Sequence, residues 1–285
     1  MRFAKGHGTG NDFVIVPDPQ GQLDLTVGLV RALCDRHYGI GADGVLRVVR
    51  SAMAGTDAAG QSAEWFMDYR NADGSLAEMC GNGVRVFARY LLTEGLAVGP
   101  ELAVATRAGT KPVRAEADGQ FTVDMGAAAV LGDGEVQAGD RRIGGLAISV
   151  GNPHLACIVT EPLAAIDLTG PAVLRPAALR AGANIEIIRV LGDRKVEMRV
   201  HERGSGLTLS CGTGAVAAAV AAAVFTGEWP AETTVPWTVQ VPGGKLAVTP
   251  SITGSLLTGP AEIVATGDLA DGWLAGHLPA GLRAG

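Results

Sequence analysis

Apolar and polar residues recur along this chain with two different periods, and the switches between them mark its elements. Phe13-Val14-Ile15-Val16 is a short β-rich run. Leu29, Val30, Leu33 and Cys34 have helical spacing, and Val45 to Val49 again reads as a strand. Trp65-Phe66-Met67 runs into Asn71-Ala72-Asp73-Gly74-Ser75, residue types that turn the chain. A helix is predicted from Asn82, with Val84, Phe87, Ala88 and Leu91 on one face and Gly95 beyond its end. In the second half, Val196, Met198 and Val200 alternate with charged residues, as in a half-buried strand. The Gly204-Ser205-Gly206 turn follows, and Cys211-Gly212-Thr213-Gly214 opens an Ala-rich helix. Trp237 to Val241 and Lys245 to Val248 flank Pro242-Gly243-Gly244 and predict a hairpin.

The two halves carry the same signals in the same order. Gly10-Asn11-Asp12-Phe13 and Gly151-Asn152-Pro153-His154 each precede an apolar strand. Each is succeeded by a Cys-Gly-x-Gly at a helix start, Cys80 lying 69 residues after Asn11 and Cys211 lying 59 residues after Asn152. The pattern predicts two similar domains facing one another.

With 285 residues, 47% of them hydrophobic and 18% charged, the chain can bury a real core and is not of disordered composition. A net charge of −6 without a basic tract argues against a nucleic-acid partner. Met1 to Gly6 contain no apolar run of the signal-peptide kind, so none is expected. The most apolar stretch, Ala215 to Phe225, is eleven residues long, short of the about 20 that a bilayer demands, and predicts a buried helix rather than a membrane span. A cytoplasmic location is expected. None of the four cysteines forms a C-x-x-C, and disulfides are not expected in a chain of this size.

Some motifs lose their meaning in context. Gly39-Ile40-Gly41-Ala42-Asp43-Gly44 spells G-x-G-x-x-G, but a helix precedes it and a strand follows, the reverse of a dinucleotide-binding turn. Asn71-x-Asp73-Gly74 resembles part of a calcium loop, yet Tyr69 and Cys80 stand where ligands belong. Zinc ligation by Cys80, Cys211, His154 and His201 lacks the usual short spacings, and no metal is expected.

Cys34 within a helix and Cys157 within an apolar strand read as small buried hydrophobes. Cys80 and Cys211 differ, because each stands just before Gly-x-Gly at a predicted helix N-terminus. There the macrodipole and first-turn N–H groups favour negative charge, which lowers a thiol's pKa and allows a carboxylate to dock. Nucleophilic catalysis would pair one cysteine with a base such as His154, leaving the other without a task. A redox pair usually sits in C-x-x-C. Stereoinversion uses both: one thiolate removes a proton from one face of a carbon while the other thiol delivers one to the opposite face.

Lys5-Gly6-His7-Gly8-Thr9-Gly10-Asn11-Asp12-Phe13, Asp35 through Gly44, and Arg70 through Ser75 with Met79-Cys80-Gly81-Asn82-Gly83 resemble diaminopimelate epimerases. So do Gly151-Asn152-Pro153-His154, Asn184-Ile185-Glu186, and His201-Glu202-Arg203-Gly204 through Gly214. The blocks span nearly the whole chain in the family's order. The resemblance implies an α/β (α+β) fold of two pseudo-twofold-related domains, each a mixed, mostly antiparallel sheet wrapped around a central helix, with the active site in the interdomain cleft. The domains implied are 1–125 with 264–285, carrying Cys80, and 126–263, carrying Cys211. The implied reaction interconverts LL- and meso-diaminopimelate without pyridoxal phosphate or other cofactor and feeds lysine and peptidoglycan precursor synthesis; the implied assembly is a homodimer.

By position, the resemblance assigns the carboxylate at the reacting carbon to the backbone of Gly81-Asn82 and Gly212-Thr213. Asn71, Asn184 and Arg203 would hold the distal amino-acid end. Glu202 would receive an ammonium and, with His154, set the thiols' protonation, while Asn11 and Asn152 complete the polar lining. Read without the resemblance, these asparagines are turn formers and Glu202-Arg203 a solvated pair at a strand end. Two positions depart from the family pattern: Gly44, where many members carry Gln, and Leu207, where the family often has Glu. A proline or hydroxyproline racemase, a catalytically silent diacid-binding module and a two-cysteine redox protein are the competing readings. The Ala/Gly-rich tail after Asp271 is expected to be partly disordered.

Overall fold

The structure, a computed structural model, describes residues 1–180, 182–230 and 235–277. It divides into two compact units, residues 1–121 with 261–285 and residues 122–260.

The first unit is a mixed sheet around one helix. Its elements are β1 (Arg2–Gly8), β2 (Asn11–Pro17), α1 (Val27–Cys34), β3 (Gly44–Arg50), β4 (Trp65–Asn71), α2 (Gly81–Thr93), β5 (Glu101–Thr106) and β6 (Gly109–Ala115). The strand Glu262–Asp268 returns to pair antiparallel with β1. From there the order is β1, β2, β3, β4, β5, β6, with the β2/β3 and β4/β5 steps parallel and the rest antiparallel. Phe13 to Val16 are all buried because both faces of β2 are covered, so the run is continuous rather than alternating. Val14 and Val16 pack with Leu29, Val30 and Leu33 of α1, whereas the Phe13 ring reaches Gly83 of α2. Helix α2 ends in a Schellman turn: Leu96 N–H bonds to Leu91 O and Gly95 N–H to Leu92 O, with Gly95 at φ +67°. Asp271 to His277 form a short helix whose Trp273 and Leu274 pack on the α1 core, so this part of the tail is ordered; residues 278–285, on which the rest of the expectation falls, lie outside the described residues.

The second unit repeats the pairing scheme. Its elements are β7 (Phe121–Gly126), β8 (Ala129–Ala138), β9 (Arg141–Ser149), β10 (Pro153–Ile158), β11 (Ala172–Arg175), β12 (Asn184–Gly192), β13 (Lys195–Glu202), β14 (Gly206–Thr208), α3 (Gly212–Phe225), β15 (Trp237–Val241), β16 (Gly244–Thr249) and β17 (Ser255–Gly259). Here β9/β10 is antiparallel, β10/β12 parallel, β12/β13 antiparallel, β13/β15 parallel and β15/β16 antiparallel. This is the β1-to-β6 sequence of steps again, with α3 in the place of α2. Gly212 to Ala223 are buried all round, and α3 packs on β9, β10, β12, β13, β15, β16 and β17. A helix apolar on every face needs such complete cover, and small alanines let strands approach it from all sides. No helix among the described residues is long and apolar enough to cross a membrane.

Candidate active site

Both singled-out cysteines occupy the N-cap of their unit's central helix. Cys80 (φ −140°, ψ 120°) and Cys211 (φ −126°, ψ 123°) are extended, and each sulfur accepts from the N–H three residues on, Gly83 at 3.4 Å and Gly214 at 3.3 Å. Helix geometry points the first-turn N–H groups of Gly81-Asn82 and of Gly212-Thr213 out of the same helix ends, where an anion is favoured.

Around Cys80 the chain builds an amide network. β1 and β2 are joined by the two-residue turn Thr9-Gly10, both at positive φ (50° and 80°), which sets Asn11 at the head of β2. Asn11 Nδ2 donates to Asp43 Oδ2 at 2.8 Å, so its Oδ1 faces the helix end. That oxygen accepts from Asn82 Nδ2 at 3.2 Å and from the Cys80 thiol at 3.6 Å. Asp43 is in turn held by Arg36 Nη2 at 2.8 Å. Burial alone would raise the neighbouring Asp12 carboxyl, but the Arg36 and Lys5 cations bonded to it hold it well below the usual range.

Cys211 has a different environment. Asn152 Nδ2 donates to Thr213 Oγ1 at 3.3 Å, and Asn152 Oδ1 lies 2.9 Å from His154 Nε2. The other ring nitrogen of His154 is 2.7 Å from Glu186 Oε1, both side chains being fully buried. Glu202, at the end of β13, accepts from Thr208 Oγ1 at 2.5 Å and is hydrogen-bonded to Cys211. Burial raises its carboxyl above 4.5 despite those two bonds. The Cys211 thiol is pushed well above 9.0, first by burial and then by the Glu202 and Glu186 carboxylates; the bonds from Thr213 and Gly214 work in the other direction without prevailing. The expectation that a helix N-terminus lowers the thiol's pKa is therefore reversed at Cys211, because desolvation and two acidic neighbours outweigh one N-cap bond.

Asn71, Asn184 and Arg203 stand outside these clusters. Asn71 closes the predicted turn, its backbone N–H bonded to Ser75 O and its Nδ2 to Ser75 Oγ, both at 3.0 Å. Asn184 Oδ1 accepts from the Arg203 backbone N–H at 2.9 Å. The Arg203 side chain is exposed and makes no ion pair among the described residues, so it is not a solvated partner of Glu202, which turns inward. The departures also find explanations. A Cβ on Gly44 would lie 2.5 Å from Arg70 O and 2.7 Å from the Tyr69 ring, so a glutamine does not fit this backbone. Leu207 is exposed and pairs across from His201.

Two charged residues near the thiols received no role from the sequence. Glu186 sits in the run Asn184-Ile185-Glu186-Ile187-Ile188, where one acidic residue among buried apolar ones was the available signal. A Cβ on Gly214 would meet its Oε1 at 2.7 Å, so that glycine makes room for the carboxylate. Arg85 is fully buried in α2, although helical spacing gave no hint of it. All four cysteines are free; Cys34 and Cys157 are pushed to about 12 by burial, as inert core thiols are. No group of three or more His, Cys, Asp or Glu side chains among the described residues is placed to hold a metal ion.

The family model described as diaminopimelate epimerase matches residues 3–131 and 146–264. A diaminopimelate epimerase of Thermobifida fusca (strain YX) is 54% identical over 274 residues, covering 94% of this chain and 98% of the relative. One of Streptomyces coelicolor is 53% identical over 285 residues, covering 98% of each. Among solved structures, a probable proline racemase from Agrobacterium radiobacter K84 superposes with a TM-score of 0.68 at 14% identity, covering 94% of this chain and 92% of that one, a likeness of fold.

Proposed function

The chain belongs to the diaminopimelate epimerase family of isomerases, and from that premise we propose that it inverts one α-carbon of diaminopimelate by a two-base mechanism. The observation that carries the reading is the repetition of one device: a cysteine at the N-cap of each unit's central helix, its sulfur bonded to the N–H three residues on. In one direction the Cys80 thiolate removes the α-proton and becomes a thiol. Cys211, held protonated by burial and its acidic neighbours, gives its proton to the opposite face and becomes the thiolate. The reverse reaction exchanges the roles, and the proton balance closes on the two sulfurs, so the scheme calls on no cofactor.

Each of the two helix ends offers first-turn N–H groups, Gly81-Asn82 on one and Gly212-Thr213 on the other, suited to negative charge developing on the substrate carboxylate, a preorganised stabilisation that needs no reorganisation during the step. Glu202 and His154 govern the protonation of Cys211, with Asn11 and Asn152 orienting the polar groups beside each sulfur. The exposed guanidinium of Arg203, with Asn71 and Asn184, is suited to the distal amino-acid end through bidentate contact with a carboxylate. The reading extends to a cytoplasmic homodimer that supplies lysine and peptidoglycan precursors.

Incubation of the fully reduced protein with LL-diaminopimelate, followed by chiral separation, tests the substrate. Formation of the meso isomer, with proline left unchanged, is the expected result. Turnover of proline alone would move the chain to racemase chemistry, and turnover of neither would remove the enzymatic reading.

A further inference from the structure

Arg85 is a fully buried guanidinium in the first turns of α2, and burying such a charge is costly unless something matches it. Among the oxygens it bonds are three neutral ones: Asn82 Oδ1 at 2.9 Å, Gly81 O at 3.4 Å and Thr9 Oγ1 at 3.5 Å. The ionisable side chain that favours its charge is Cys80. Burial lowers Arg85 to about 10, which leaves it cationic at neutral pH.

We propose that Arg85 is the positioning residue of the Cys80 half of the site, orienting the amides around the sulfur and supplying the buried positive charge against which Cys80 ionises. By bonding Asn82 Oδ1 it turns Asn82 Nδ2 toward Asn11 Oδ1, and that oxygen is the acceptor facing the thiol. The same guanidinium reaches Thr9, a β-branched residue in left-handed backbone (φ 50°) within the turn that places Asn11. A Cβ on Gly8 would lie 3.1 Å from Arg85 Nη2, so the strand before the turn is kept bare beside the guanidinium. In the thiol state the proton goes to Asn11 Oδ1; in the thiolate state the Gly83 N–H and the Arg85 charge remain.

Other ionisable groups near α2 are engaged elsewhere. Lys5 and Arg36 bind Asp12, Arg36 also binds Asp43, and His7 lies 3.9 Å from Glu262. Asp68 is bound by Arg47, Arg70 and Arg107, and Arg114 by Glu116. On α2 itself Arg89 bonds the carbonyls of Ala261 and Gly119, and Glu94 at its C-cap bonds Arg2. Lys111 lies on the neighbouring β6.

The inference rests on the proposed reading only in making Cys80 a base, so its test reads the thiol without turnover. Iodoacetamide alkylation of Cys80 is followed by peptide mass across a pH series, the other three thiols being buried. In the unaltered protein the midpoint is expected below about 8.5, the value of an ordinary free thiol. Arg85→Gln should raise it by about one to three pH units, with Arg85→Lys restoring most of the shift. The Gln variant should also lose kcat/KM at neutral pH and regain it as pH rises, which a loss of folding would not do. An unchanged midpoint in Arg85→Gln overturns the proposal. Should that variant not fold, a midpoint at or above about 8.5 in the unaltered protein overturns it by itself, and one below supports it. Absence of epimerase activity with a shifted midpoint would sink the proposed function and leave Arg85's role standing.

Discussion

At the residue scale the two thiols share a position and differ in surroundings. Cys80 has a buried arginine and an amide network, whereas Cys211 has two carboxylates and nearly complete burial. Under the proposed two-base scheme, replacing either by Ala removes one proton carrier, and inversion should fall by about two to four orders of magnitude in each case. Cys211→Ala should still wash α-hydrogen out of one stereoisomer through the remaining base, measurable as deuterium uptake without inversion. Glu186→Gln takes one negative charge from beside Cys211 and lowers a thiol pKa that this carboxylate helps raise. Cys211 then loses its proton at lower pH, so the alkaline limb of the direction in which it is the acid should move down by about one unit in a pH–rate profile. Gly44→Gln forces a side chain toward Arg70 O and the Tyr69 ring and should cost about 1–3 kcal/mol, read as a lower thermal midpoint. The cysteines were legible in the sequence because Cys-Gly-x-Gly at a helix start is a local pattern. Arg85 was not, since a charged residue in a helix ordinarily faces solvent, and the bonds to Thr9 and Asn82 that help make its burial tolerable arise through the fold. The protonation of Cys211 was misread for the same reason: burial and the distant Glu186 enter through the fold, not the neighbouring letters.

At the scale of elements, β2 and α3 were legible because their apolar runs are long and continuous, and that continuity reports cover on all sides. Strands β1, β5, β6, β8 and β9 escaped because Gly, Thr, Lys and Arg interrupt their alternation, and pairing rather than propensity makes them strands. The two central helices should be sensitive to opposite kinds of core change. Ala218 of α3 is fully buried among strands, so Ala218→Leu overpacks and should cost about 1–3 kcal/mol in urea unfolding. Phe87 of α2 fills its unit's core, and Phe87→Ala should cost about 3–5 kcal/mol through the cavity it leaves.

At the scale of the whole molecule, the duplicated order of signals predicted two similar domains; the chain divides into two units, and the shared pairing scheme around one helix in each is visible only in the structure. The first unit also carries a charge cluster that no sequence pattern announced: Asp68, nearly inaccessible, receives Arg70 at 2.8 Å and Arg107 at 2.6 Å and lies 3.5 Å from Arg47. Burial alone would raise its carboxyl, but the arginine bonds outweigh that and hold it below 3.8. A depressed folded-state pKa contributes stability that is present above 3.8 and is lost as pH falls through the folded value. Asp68→Asn should therefore flatten the acid side of the stability curve while lowering stability at neutral pH, as chemical denaturation over a pH series would record.

The most direct test of the paired thiols is the fate of deuterium at early conversion of LL-diaminopimelate in deuterated water. Two opposed thiols predict meso product bearing solvent deuterium at the inverted carbon while recovered substrate keeps its hydrogen, because removal and delivery use different sulfurs. Deuterium divided between substrate and product from the first turnovers, or product retaining the original hydrogen, would mean one base serving both faces and would contradict the account.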